Sequence, residues 1–220
     1  MLGKFMVDIL SFEPYHIGTK LQAHVDVGIL GNKLREYLKA KEYVLPSRVP
    51  VEFLTSIPAT AQVLGSKDGV RVWFNIPVLA LNVTGPDPDK VHEVFKEINK
   101  ALSELGYNLD AVVVFYEILT TIIVASNAPP TQCINRSVHV DLCSMKDLGE
   151  VVVDSFRVVN VKPTEEQGVL NLVVEPNPNN PDKSYSARLQ FRSIKPAQIE
   201  TFHSSLKDKI LNVIKSIEAE

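Results

Sequence analysis

The chain has 220 residues, of which 45% are hydrophobic, 22% charged and 7% aromatic. That composition excludes a disordered, collagen-like or coiled-coil chain, and the length allows a core that needs no disulfide or metal staple. With 23 Lys and Arg against 26 Asp and Glu, the formal net charge is −3, without the basic surplus from which nonspecific nucleic-acid binders draw affinity.

In chain order, residues 5–12 read as a strand, a break follows at 14–18, and the alternation over 19–27 predicts a second strand. Residues 32–43 carry helix formers, with Leu34, Tyr37 and Leu38 on one face and Asn32 as the expected N-cap; Pro46 and Pro50 then stop a helix. Extended segments are expected near 50–56, 60–64 and 69–84, the last divided at Pro77, because proline cannot donate to a central ladder. Asp87 and Pro88 suit the N-cap and first position of a helix. Val91, Val94, Phe95, Ile98, Leu102 and Leu105 recur along it at helical spacing, and Gly106 ends it.

The second half reads similarly. Residues 109–126 are a β-branched strand, 127–130 a turn, 136–143 a strand, and 144–149 have room for one helical turn. Segments 150–161, 168–175 and 184–192 read as extended, with a loop at 177–183. Pro196 opens a final helix that aligns Ile199, Phe202, Leu206, Ile210, Ile214 and Ile217.

The halves echo one another. His24-Val25-Asp26 recurs as His139-Val140-Asp141, Gly69-Val70 as Gly168-Val169, and the helix-opening Pro88 as Pro196. The expected fold is α+β: two similar halves, residues 1–106 and 107–220, packed closely together. Each is a mainly antiparallel sheet backed by a long amphipathic helix.

The order of HVDVG with the 32–43 helix, then the 60–84 strands and the helix from Pro88, resembles the duplicated fold of the TATA-box binding protein family. The resemblance is one of topology. It covers about residues 20–106 and, more loosely, the second half, and it implies a saddle-shaped sheet and DNA binding. The family's paired wedge phenylalanines are not matched. Trp73 and Phe74 are adjacent and point to opposite faces, Leu172 and Val173 stand in the corresponding hairpin, and the basic fringe is thin.

Each candidate residue has a structural reading beside the chemical one. His139, Asp141 and Cys143 share a strand face at period two, with Cys133 nearby, a set that suits a metal site or a Cys/His pair. Period two spreads such side chains apart and the zinc spacings are missing, so a buried cysteine with structural contacts for His139 and Asp141 is preferred. His24 and Asp26 are read the same way. Glu117 in an apolar strand suits an acid or base with raised pKa, or, preferred here, a residue facing solvent or paired with a base. Arg71 and Arg188 suit anion binding or a solvated face; Trp73 suits an interface or, preferably, the core.

No nucleotide, zinc-protease, dithiol or serine-nucleophile motif occurs. No cofactor is implied, and a non-enzymatic protein is preferred over an enzyme. Two cysteines and an N-terminus without a signal-peptide pattern suggest a cytoplasmic setting. The apolar stretch 111–125 contains Glu117 and is too short for a membrane helix. The expected function is binding or assembly through a sheet face or edge, with a homodimer or another protein as partner. The alternatives are a saddle-type nucleic-acid binder and a small enzyme or metal-binding protein centred on His139, Asp141 and Cys143.

Overall fold

The computed structural model describes residues 7–46, 61–138, 151–164 and 167–219. Apolar residues at every second position drive the chain into strands that each bury one face. In β6 (Val113–Ala125), Tyr116, Ile118, Thr120, Ile122 and Val124 are buried, while Phe115, Glu117, Leu119 and Thr121 are only half-buried. Eight more strands join it: β1 (Ile9–Phe12), β2 (Tyr15–Leu21), β3 (Ala61–Lys67), β4 (Val70–Asn75), β5 (Ala80–Gly85), β7 (Phe156–Val159), β8 (Val169–Pro176) and β9 (Ser184–Ser193). The sheet order is β3-β4-β5-β2-β6-β9-β8-β7, with β1 continuing the β2 side of β6 beyond Glu13 and Pro14. All pairings are antiparallel. Read outward from the central β2–β6 pair the order is two-lobed: β5, β4 and β3 on one side, β9, β8 and β7 on the other.

The helices supply the second layer. α1 (Val27–Ala40) packs on β3, α2 (Pro88–Glu104) on β2, β5 and β4, α4 (Pro130–Ser137) on β8, and α5 (Pro196–Glu218) on β9 and β6. One face of every long strand shares a single core with them: Ile17, Phe74, Val83, Ile118, Leu172 and Phe191 meet Leu34, Phe95, Ile134 and Phe202. The Asp87 carboxylate accepts from the Asp89 and Lys90 amides and starts α2. At its far end the Gly106 and Tyr107 amides reach back to the Ser103 and Leu102 carbonyls. Burying Val91, Phe95, Ile98 and Leu102 is worth roughly 1.5–3 kcal/mol each before chain entropy is subtracted. At the end of α5 the Glu218 carboxylate takes the Asn127 amide at 3.0 Å and its side-chain Nδ2 at 2.6 Å, tying the helix to the turn after β6.

The α+β class, the large antiparallel sheet and the two long helices agree with the sequence reading. Several boundaries differ. β2 begins at Tyr15, not residue 19, because Tyr15, Ile17, Thr19 and Leu21 alternate directly after Pro14. Gly18 lies inside the strand at a close approach: a Cβ there would meet Asn82 Oδ1 at 3.0 Å and His16 Nε2 at 3.3 Å. α1 starts at Val27, capped by Asp26, so Asn32 is interior. The first turn of the expected strand at 109 is a short helix, α3 (Leu109–Val112), with the Asn108 side chain accepting from the Asp110 amide. Where a turn and then a strand from 136 are expected, Pro130 opens α4, which buries Cys133 and Ile134. Of the described residues in the expected strand 150–161, only Phe156–Val159 are strand.

The resemblance to the TATA-box binding protein family is corrected. That family's fold needs a strongly curled, saddle-shaped sheet, and this sheet is neither closed nor strongly curled. Trp73 is buried and hydrogen-bonded instead of projecting as a wedge.

Candidate functional site

The second face of the sheet carries no helix among the described residues. Strand parity decides what stands on it. Arg71, Trp73, Glu117 and Arg188 occupy the positions alternate to the core residues of β4, β6 and β9, so all four share this face. Register lines them up in two rows. One runs Ser66, Arg71, Thr84, His16, Leu119, Gln190 and Asn171 across β3, β4, β5, β2, β6, β9 and β8. The next runs Trp73, Asn82, Gly18, Glu117, Arg192 and Val169.

The first-half end of the face is held by a short relay. Trp73 Nε1–H donates to Thr84 Oγ1 at 3.0 Å, and Thr84 Oγ1 lies 2.9 Å from His16 Nδ1. Indole nitrogen can only donate, so Thr84 accepts from Trp73 and its own hydroxyl is free to donate to His16. We therefore assign His16 the tautomer protonated at Nε2. Burial lowers the His16 pKa to about 4, with the Glu117 carboxylate and Asn82 pulling in the opposite direction. The imidazole is thus neutral at pH 7. Trp73 is 6% exposed, as a core residue would be, yet it lies on the face away from the helices.

The second-half end is a set of ion pairs. Glu117 Oε2 accepts from Gln190 Nε2 at 2.6 Å and pairs with the Arg192 guanidinium, which also lies over the Phe115 ring at 4.8 Å. Arg188 pairs with Glu175 at 2.9 Å, and Arg157 donates to Asn171 at 2.6 Å. Glu117 therefore pairs with a base, as preferred from sequence. Two shallow grooves open here. One, of about 360 Å³, lies between Glu13, Pro14, His16, Leu119 and Arg188; the other, of about 310 Å³, lies between Phe115, Pro163, Val169, Arg192 and Ile194. The arrangement offers apolar floor, paired arginines and one neutral histidine, which suits recognition more readily than bond-making.

A separate cluster sits under the helices. His203 Nε2 lies 3.3 Å from Asp89 Oδ1, and its Nδ1 lies 2.8 Å from the Tyr15 hydroxyl. A carboxylate can only accept, so Nε2 carries the proton and Tyr15 donates to Nδ1. The His92 ring stacks on His203 at 4.2 Å between centroids, and its Nε2 is buried without a partner. Burial lowers the pKa of both histidines, that of His92 to about 4, and burial raises that of the Tyr15 phenol. The Tyr–His–Asp order resembles a proton relay, but Tyr15 is fully buried and reaches no substrate, so its role is to join β2 to α2 and α5.

The remaining sequence candidates fall elsewhere. His139, Asp141 and Cys143 lie outside the described residues. Cys133 is a buried thiol in α4 with Arg136 Nη2 at 3.6 Å. Among the described residues no group of three His, Cys, Asp or Glu side chains is gathered to hold a metal ion. Asp26 caps α1, accepting from the Gly28 and Ile29 amides at 2.9 and 3.0 Å, while His24 is exposed in the turn before it.

His16, Asn82, Thr84, Gln190 and Arg192 escaped the sequence reading. His16 lay in what read as a break; starting β2 at Tyr15 would have placed it on a face with Gly18 and Lys20. His92 and His203 stand four and seven residues after the helix-opening Pro88 and Pro196, and that spacing carries no signal that pairs them. No described helix is long and apolar enough to cross a membrane. No family model, curated protein or solved structure matches the chain.

Proposed function

We propose that the chain is a non-enzymatic binding or assembly protein that engages a partner protein through the helix-free face of its sheet. The observation that carries this is the gathering of Arg71, Trp73, Glu117 and Arg188 on one face, beside the half-buried Phe115 and Leu119. An apolar floor bordered by ion pairs is the composition of a recognition surface. Photo-crosslinking residues placed at Phe115 or Leu119, compared with one at the exposed Ile29 on α1, test it in the cells that make the protein. Adducts from the sheet face and not from α1 support the reading. Adducts from α1 alone, or from all three alike, overturn it.

The proposal includes two modules, residues 1–106 and 107–220, derived by duplication and each backed by its long helix. The two-lobed strand order and the equivalent Pro88 and Pro196 support it. It includes a cytoplasmic setting, supported by the sparse cysteines.

A homodimer through the β7 edge is a second reading. Val152, Val159 and Val161 are 44%, 47% and 82% exposed beside a four-residue strand that pairs only with β8 among the described residues. A monomeric mass by light scattering at micromolar concentration removes it. Nucleic acid is the alternative occupant of the face, given its arginines, and an unchanged DNA or RNA mobility at low salt eliminates that alternative. A metal or thiol centre at His139, Asp141 and Cys143 is tested by elemental analysis together with thiol labelling.

A further inference from the structure

Among the described residues four arginines stand on the helix-free face, and three have acceptors: Arg157 meets Asn171, Arg188 meets Glu175 and Arg192 meets Glu117. Arg71 differs. The residue is 8% exposed, and its Nε and Nη1 are buried with no hydrogen-bond partner among the described residues. Its register neighbours are Ser66 on β3 and Thr84 on β5. Thr84 is already committed to Trp73 and His16, and Glu117, the face's central carboxylate, is committed to Gln190 and Arg192. Among the described residues these two nitrogens therefore have neither a counter-charge nor an acceptor. Guanidinium cannot escape the cost by losing its proton, because arginine stays charged at any ordinary pH. An unpaired buried charge is among the most destabilising features a fold can carry, and native folds supply it with a partner.

We propose that Arg71 anchors an oxyanion site on this face, which takes a carboxylate or phosphate group of the bound partner. Nη2, the one guanidinium nitrogen of Arg71 that is not buried, is where an oxygen of either group reaches the charge, through a charge-assisted hydrogen bond. Ser66, directly across β3, is placed to add a hydroxyl donor. The site deepens the binding function proposed above and rests on it for its biological role, while its chemistry is testable without any partner.

The test is thermal unfolding of the full chain in chloride buffer at constant ionic strength, titrated with inorganic phosphate and, separately, with succinate. Wild type is expected to gain about 5 °C in a saturating manner, since a ligand that binds only the folded state stabilises by mass action. Arg71→Met is expected to show no saturating gain and, in chloride alone, to be at least as stable as wild type, because it removes an unpaired charge. Saturation with phosphate alone assigns a phosphoryl group; with succinate alone, a carboxylate. No saturation with either anion, or an Arg71→Met protein that responds as wild type does, overturns the site. Should Arg71→Met fail to fold, the Arg71 Nε–H resonance of the wild type decides: it must shift with anion concentration, and an unmoved resonance overturns the proposal. Failure here leaves the crosslinking result intact, and failed crosslinking leaves the anion titration intact, so the two readings fall separately.

Discussion

Replacing His16 with Gln should blunt the acid sensitivity of the fold. His16 is neutral in the folded chain, with its pKa lowered by burial to about 4, whereas an unfolded histidine titrates near 6.5. Between those values the unfolded chain binds a proton that the folded chain does not. The stability contributed by the neutral ring is therefore present above pH 6.5 and is lost as pH falls toward 4. Integrating the two titrations gives a loss of about 2 kcal/mol between pH 7 and 5 and about 3 kcal/mol by pH 3. Gln does not titrate, and its amide has both a donor and an acceptor for the Thr84 hydroxyl. The measurement is urea unfolding of wild type and His16→Gln at pH 7 and pH 5. Carboxylates titrate alike in both proteins and cancel in the double difference. Wild type should lose about 2 kcal/mol more than the variant over that interval, or about 4–8 °C in Tm for a chain of this size. Parallel pH profiles would refute the reasoning, because they would mean that His16 is protonated as easily in the folded chain as in the unfolded one.

Four further substitutions probe the packing that supports the face. Tyr15→Phe removes the donor to His203 Nδ1 without changing shape, and should cost about 1–2 kcal/mol by urea unfolding at pH 7. Phe202 stacks on Phe191 at 3.9 Å with rings 5° from parallel, so Phe202→Ala should cost about 3–5 kcal/mol and be visible as an early thermal transition. Gly168 has φ of 69°, and an added Cβ would lie 2.6 Å from Phe191 Cζ and 2.7 Å from the Arg192 carbonyl oxygen. Gly168→Ala should destabilise by more than about 2 kcal/mol, whereas Gly69→Ala, at φ of 81° but with open space around it, should cost only about 1 kcal/mol; equal Tm losses for the pair would contradict the packing argument.

What could be read from sequence follows the range of the interactions involved. Local signals were legible: Asp87 and Pro88 open α2, Gly106 closes it, and period two in β6 separates Tyr116 and Ile118 from Phe115 and Glu117. Local signals also misled where two of them conflicted. Gly18 read as a break, although its small size is what admits Asn82 and His16 beside it. Asn32 read as a cap, although Asp26 reaches the free amides first. The α4 segment, PTQCINRS, carries β-compatible residues, and the proline at its first position together with burial of Cys133 and Ile134 against the core outweighs them.

The site depends on the longest-range information, namely which strand lies beside which. Arg71 and Glu117 look alike in sequence, as single charges in apolar strands, and parity correctly puts both on one face. Their fates differ because of neighbours far away in the chain. β9 brings Gln190 and Arg192, more than seventy residues distant, to Glu117 and satisfies it. β3 and β5 bring only Ser66 and an already engaged Thr84 to Arg71. One charge is thereby used up inside the fold and the other is left for a partner outside it, a distinction that register makes and residue spacing does not encode.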